Sequence, residues 1–366
     1  MEYNPSQLKV INANENKIVC LASAASGKTR TLTARIEKLL NDGIEPSQIV
    51  AITFTRLAAD EMKRRIGDKV KDMFIGTVHS YANKICMMNG IKNYSLINQG
   101  DFDDIIHNAA KIPSENYPKI KHLLVDESQD LTALEFTFID KIPTENIFFV
   151  GDDRQNIYGF RGGTDKFLRA MKRNPDFKTY YLLENYRNAP NILDYAESLI
   201  GNSSISPNSR AVKKRDGILE EKVPFMMALE DLVDSENWGS WFILTRTNDE
   251  LDIVRDILAE KEVPAVSFKM SEIKDNVILD DVINSDTVKV LTIHCSKGLE
   301  NKNVIVVGAR KYNEEERKIA YVAATRAENA LYECPSVKSL KKKFKNNKRN
   351  NIKEQVEKDP HMISFE

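Results

Sequence analysis

The sequence predicts an α/β protein in which parallel strands alternate with helices, and three stretches carry that prediction. Residues 18–21 form an apolar run that reads as a short buried strand. The chain then crosses a small-residue loop into residues 29–40, where Leu32, Ile36, Leu39 and Leu40 recur at helical spacing before Gly43. Residues 122–125 are a second apolar strand, ending in the adjacent carboxylates Asp126 and Glu127. Residues 147–150 repeat the design and end in Gly151, Asp152, Asp153, Arg154 and Gln155. Polar residues at the carboxyl ends of buried strands suit an open parallel sheet, which binds its ligands there.

At 366 residues the chain fits two ordinary domains or three small ones. A hydrophobic content of 42% suffices for packed cores, and a net charge of -1 means that any nucleic-acid site must be a local groove. Cys20, Cys86, Cys295 and Cys334 are scattered with no Cys-x-x-Cys pair. That argues against a zinc or iron–sulfur site and suits a reducing compartment. The first residues are polar and no apolar run approaches membrane-spanning length, so the expectation is a soluble, cytoplasmic protein with no membrane partner.

Taken in order, the chain offers several chemical sites. Gln7 opens a short amphipathic segment at 8–13; its amide matches the adenine edge, though alone it reads first as a helix start. The loop before Lys28 and Thr29 is of the phosphate-binding kind: its N–H groups and the helix N-terminus face an anion, Lys28 adds a point charge, and Thr29 can hold Mg²⁺. The pattern has glycine where Ala22 stands. Residues 49–55 are another strand, followed by helical spacing at 58–66, so Phe54 and Thr55 fall at a carboxyl end where Phe54 can pack or stack on a base. Residues 72–77 are a third strand candidate leading into His79, which alone reads as a structural cap. Weaker patterning at 81–120 reads as a small helical insertion.

Asp126 can hold Mg²⁺ through water, and Glu127 can orient or deprotonate an attacking water. Gln155 can sense a terminal phosphate. Tyr158, Phe160 and Arg161 are the aromatic and cationic mix that stacks on and holds single strands. Residues 180–183 give a further strand before Glu184, Asn185, Tyr186 and Arg187. A helix at 191–200, a polar loop at 201–222, a strand at 241–246 and helical spacing at 251–258 follow. Residues 288–294 form a strand running into Lys297, Gly298, Leu299 and Glu300. A strand at 304–307 and a helix from Glu315 that carries Thr325 and Arg326 complete the pattern.

Taken together these stretches resemble the superfamily 1 DNA helicases of the UvrD/Rep/PcrA type, from about residue 4 to 335 and with the motifs in the family's order. The resemblance implies two RecA-like P-loop NTPase domains, each a parallel sheet flanked by helices, that clamp one ATP between them. The implied nucleotide residues are Gln7, Ala24, Ala25, Ser26, Gly27, Lys28, Thr29, Arg30, Tyr186 and Glu300. Gln7 would read adenine, Tyr186 stack on it, and Glu300 touch the ribose. Lys28, Glu127, Gln155, Arg187 and Arg326 would be catalytic, with Thr29 and Asp126 on Mg²⁺ and Arg187 and Arg326 as arginine fingers from the second domain. The implied DNA contacts are Phe54, Thr55, Thr77, His79, Tyr158, Phe160, Arg161, Thr292 and His294. Ala22 is common in the family. Ala25 stands where the family usually has Gly, and its Cβ implies a shifted loop or slower hydrolysis, since Ala tolerates positive φ poorly.

On this reading residues 1–80 and 121–183 form the first motor domain, 81–120 a reduced insertion, 184–336 the second motor domain and 337–366 a basic tail. The family's second insertion shrinks to about 268–286. The implied function is an ATP-dependent helicase and translocase, 3′-to-5′ on single-stranded DNA and at single-strand/duplex junctions, acting as a monomer in replication or repair. A second reading is an ATP-controlled single-strand-binding subunit of a nuclease, repair or defence complex, with little unwinding of its own. A small-molecule kinase is disfavoured, because it gives Lys297, Gly298, Leu299, Glu300, Thr325 and Arg326 no role.

Overall fold

The computed structural model describes residues 2–67, 71–235, 237–267 and 285–340. The expected tail lies outside the described residues from position 341, and so does the stretch 268–286 except for its last two residues. The described residues form two compact units: those within Met1–Arg215 and Tyr312–Tyr321, and those within Asp216–Lys311 and from Val322 to 340.

In the first unit, β1 (Lys17–Ala22), β2 (Ile49–Thr53), β3 (Phe74–Thr77), β4 (Ile120–Val125), β5 (Thr144–Gly151) and β6 (Lys178–Leu182) form one sheet in the order β3-β2-β4-β5-β1-β6. Every pairing is parallel. Such strands are buried on both faces and read as continuous apolar runs, which is why the sequence exposes them. Alternate residues feed two cores. Val19, Leu21, Val50 and Ile52 face one, while Ile18, Cys20, Ala22, Ile49 and Ala51 face the other.

Helices α1 (Pro5–Ile11), α2 (Lys28–Asn41) and α3 (Arg56–Ile66) are followed by α4 (Val78–Met88), which begins before the expected insertion at 81–120 and runs into it, and by α5 (Tyr94–Gln99) and α6 (Phe102–Lys111) within it. From the insertion, Ile85, Cys86, Ile105, Ile106 and Ala109 join the core that Val19 and Leu21 enter. Helices α7 (Ala133–Asp140), α8 (Lys166–Arg173) and α9 (Pro190–Ile200) complete this part of the unit.

The first unit runs past the boundary expected at 184. Ser23 N–H donates to Leu182 O at 3.0 Å, Arg210 N–H to Leu183 O, and Val212 N–H to Asn185 O. These bonds tie β7 (Glu184–Asn185) and β8 (Arg210–Ala211), a short parallel pair, to the end of β6. Arg154, 1% exposed, donates to the carbonyls of Ser206 and Pro207 and lies 3.3 Å from Glu197, which anchors the loop between α9 and β8. Tyr186 and Arg187, expected on the second motor domain, therefore belong to the first unit.

The second unit carries β9 (Ile218–Glu221), β10 (Trp241–Thr245), β11 (Ala265–Ser267), β12 (Val288–Thr292), β13 (Asn301–Val307) and β14 (Ala327–Cys334), all parallel, in the order β11-β12-β10-β13-β14-β9. Helices α10 (Phe225–Val233) and α11 (Asn248–Glu260) pack on it through Leu229, Leu232, Leu251, Val254 and Leu258. Helix α12 (Glu314–Ala324) belongs to the first unit as far as Tyr321. Residues 201–222 are not all loop, since β9 is drawn from them. It is a largely exposed edge strand with no apolar pattern to announce it.

One side chain fixes how α1 enters the first unit. Arg35 of α2, 5% exposed, donates to the carbonyls of Val10, Ile11 and Ala13 at 2.8, 3.2 and 2.8 Å and lies 5.2 Å from the Phe148 ring centroid. It satisfies the end of α1 that helix geometry leaves open. Arg35→Met should lower unfolding stability by about 2–3 kcal/mol, measured in urea, because buried carbonyls lose a charged donor; an unchanged midpoint would mean that water satisfies that helix end.

Candidate functional site

The candidate phosphate loop joins β1 to α2 at the carboxyl edge of the first sheet, and its carbonyls are pinned from outside. Asn185 Nδ2 donates to Ala24 O at 3.1 Å, Tyr186 N–H to Ala25 O at 3.2 Å, and Gln7 Nε2 to Ser26 O at 3.1 Å. In a trans peptide the N–H points opposite to the C=O, so the N–H groups of Ala25 and Gly27 face the other side of the loop. Gly27 has φ 80°, and a Cβ there would come within 2.9 Å of Gln7 Nε2. Glycine is required twice over. Ala25 has φ 55°, the left-handed conformation that its Cβ disfavours by about 1–2 kcal/mol. The positive φ expected at this position is thus present with alanine in it.

Lys28 and Thr29 open α2. Lys28 Nζ lies 3.5 Å from Ala22 O, and Thr29 is half-buried. Gln7 is 1% exposed and does the work of a helix start, since Asn4 and Gln7 form a reciprocal capping box. Around it, the Arg30 guanidinium lies 4.5 Å over the Tyr3 ring and Asn4 Nδ2 donates to the Tyr186 hydroxyl. The structure thus gathers Gln7, Arg30 and the 38%-exposed Tyr186 beside the phosphate loop.

Asp126 and Glu127 follow β4. Asp126 is 2% exposed, and its Oδ1 accepts the Glu127 N–H at 2.8 Å. Glu127 has φ 49°. Its carboxylate accepts from Gln129 Nε2, while Gln129 Oε1 accepts the Asp152 N–H at 3.0 Å. Asp152 Oδ2 in turn accepts from Gln155 Nε2 at 2.8 Å. A continuous chain of hydrogen bonds therefore runs from Glu127 to Gln155. Gln129 is fully buried, and the sequence pattern alone assigns it no role. Only its place between two strand ends reveals one. Burial, together with Asp152, raises the Asp153 carboxyl above its ordinary value, against hydrogen bonds from Ile205 and Ser204 and the charge of Arg154.

The aromatic residues form a ladder. Phe54 stacks on Tyr158 with ring centroids 5.0 Å apart, and Tyr158 meets Phe160 at 6.0 Å. Tyr158 is only 4% exposed and works as the packed middle rung, so it does not offer a free stacking face. Phe160 is 69% exposed, and Arg161 beside it is exposed as well. Thr55 and Thr77 cap α3 and α4 by accepting the N–H groups of Ala58 and Ser80. His79, in the first turn of α4, lies between Asp103 at 3.7 Å and Glu135 at 3.9 Å, with the Phe102 ring edge-on.

In the second unit, Thr292 ends β12 and its Oγ1 accepts the Cys295 N–H. His294 is half-buried and Glu300 exposed. Arg326, 2% exposed, donates to Val322 O and Leu299 O, both at 2.9 Å, and to Thr325 Oγ1 at 3.2 Å. Arg187 lies in the first unit with its N–H on Asn185 Oδ1 at 3.0 Å.

The sequence matches the UvrD/REP helicase N-terminal domain over residues 3–99 and 92–176, and the UvrD-like helicase C-terminal domain over residues 270–334. It is 26% identical to an ATP-dependent DNA helicase PcrA of Leuconostoc citreum, over 58% of this chain and 40% of that protein. A probable DNA helicase of Mycoplasma pneumoniae is 22% identical over 90% of this chain and 82% of its own length. A putative ATP-dependent DNA helicase, YjcD of Bacillus subtilis, is 24% identical over 71% and 48%. The chain therefore spans about half or less of the PcrA and YjcD relatives and most of the Mycoplasma one. A solved helicase structure, from PRRSV, aligns at a TM-score of 0.48 with 13% identity, covering 92% of this chain and 55% of that one.

The ladder generates a stability test. Tyr158→Ala should cost about 3–5 kcal/mol, as loss of a packed aromatic does. Phe160→Ala should stay within about 0.5 kcal/mol, as an exposed position does. Equal losses in urea unfolding would place both rings in the core.

Proposed function

Because the chain belongs to the UvrD/REP helicase family, we propose that it hydrolyses ATP to drive movement along single-stranded DNA, 3′-to-5′, and opens duplex at a junction. The observation that carries this reading is the chain of hydrogen bonds from Glu127 through Gln129 and Asp152 to Gln155, three residues before the aromatic ladder. A carboxylate that activates water is thereby mechanically continuous with the segment offering Phe160 and Arg161 to a strand. Lys28 and the loop N–H groups would bind the phosphates. Gln7, Arg30 and Tyr186 would form the adenine pocket, with Tyr186 supplying a stacking face.

Mg²⁺ fits the donor set. Thr29 offers a hydroxyl and Asp126 a buried carboxylate, hard oxygens of the kind that hold Mg²⁺ together with nucleotide phosphates, whose charge the ion would neutralise. Glu127 would take the proton of the attacking water, and Gln129 fixes where its carboxylate points. Arg187, close to the loop in the same unit, is assigned to charge developing on the transferred phosphoryl group. Arg326 and Glu300 of the second unit, with the DNA roles of Thr292 and His294, rest on the family resemblance. Cytoplasmic residence, a monomeric state and a nuclease or repair partner belong to the same proposal.

The second reading is a partner-dependent subunit with little unwinding of its own. A forked-duplex assay separates the two: strand displacement by the isolated protein supports the first, and translocation without displacement the second. Glu127→Gln should retain nucleotide binding and lose at least about 100-fold in turnover, in the range that general-base removal costs. Lys28→Ala should lose both. Wild-type turnover in Glu127→Gln would contradict the role of that carboxylate.

A further inference from the structure

Asn185 stands just outside the residues expected to touch nucleotide, yet its side chain is fully buried and fully used. Its Oδ1 accepts two backbone N–H groups, from Arg187 at 3.0 Å and Asn188 at 2.8 Å. Its Nδ2 donates to Asn188 Oδ1 at 2.7 Å and to Ala24 O at 3.1 Å. Two N–H groups at the oxygen fix the orientation of the amide, because a flipped amide would face donors with donors. The next residue adds the Tyr186 N–H to Ala25 O bond at 3.2 Å.

These two bonds act on one residue. The carbonyl of Ala24 lies in the peptide plane whose rotation is the φ of Ala25, and the carbonyl of Ala25 lies in the plane whose rotation is its ψ. Holding both oxygens holds both dihedral angles. Ala25 is the residue that needs holding, since its φ of 55° is one that alanine leaves when unconstrained. We propose that Asn185 is a positioning residue for the phosphate loop: together with the Tyr186 N–H it locks Ala25 in the left-handed conformation, and this places the loop N–H groups for a nucleoside polyphosphate. The same amide caps the turn that carries Tyr186 and Arg187, so one side chain sets both the phosphate cradle and its neighbours. The proposal rests on the ATP reading given above.

The test is a double-mutant cycle between positions 185 and 25, read by binding of a fluorescent ADP analogue and by the KM for ATP. Asn185→Asp keeps the acceptor for the turn but sets an oxygen against Ala24 O. Asn185→Ala removes the side chain and serves if the aspartate variant does not fold. Either should weaken ADP-analogue binding about three- to tenfold, the worth of one buried hydrogen bond. Adding Ala25→Gly should recover most of that loss, because glycine adopts the left-handed conformation without the strain that alanine carries there. A general packing defect at 185 would not be rescued by a glycine at 25. Unchanged binding in both Asn185 variants, or a loss that Ala25→Gly leaves in place, would overturn the proposal. Wild-type protein that fails to bind the analogue would overturn the ATP reading itself, and that arm is scored separately.

Discussion

A phosphate loop works by turning N–H groups toward an anion, and the peptide unit then forces its carbonyls the other way, into the protein. In this chain that constraint organises the first unit. Ala24 O needs Asn185, Ala25 O needs the Tyr186 N–H, and Ser26 O needs Gln7. Each partner is itself held. Gln7 is fixed by its capping box with Asn4 and by Arg35 on the far end of α1, and Asn185 by the turn at 187–188. With glycine only at Gly27 among the loop's left-handed positions, these supports carry what glycine's own freedom would otherwise supply.

The second organising feature lies along the same sheet edge. Strands β4 and β5 are neighbours, with Val125 level with Phe149, so the residues that follow them emerge side by side. Gln129 and Asp152 bridge the two exits by hydrogen bonds. The Glu127 carboxylate and the segment leading to Phe160 thus share one buried polar network. Such a network is rigid only while every member is paired, and that suits a relay between a reaction and a grip on a strand.

Much of this was legible because parallel strands are apolar on both faces: β1, β2, β4, β5, β10 and β12 stand out as continuous runs. Strand β14 did not. Its Ala, Glu and Leu favour helix, and pairing with β13 and β9 overrides that preference. Gly27, Lys28 and Asp126 were readable because their chemistry is local to one turn. Gln129 and Asn185 were not, because each acts through a contact set by the fold: Asn185 meets a carbonyl 161 residues away in sequence. Tyr158 and Phe160 looked alike in sequence, and only burial separates the rung that packs from the ring that is offered.

The measurement that tests the central claim most directly is steady-state ATP turnover by the wild-type protein as a function of single-stranded DNA concentration. The hydrogen-bonded chain from Glu127 to Gln155, three residues before the ladder, predicts turnover that rises and saturates as DNA fills the strand site. Turnover that is appreciable yet indifferent to DNA would contradict it, leaving an ATPase whose aromatic ladder is not coupled to the reaction.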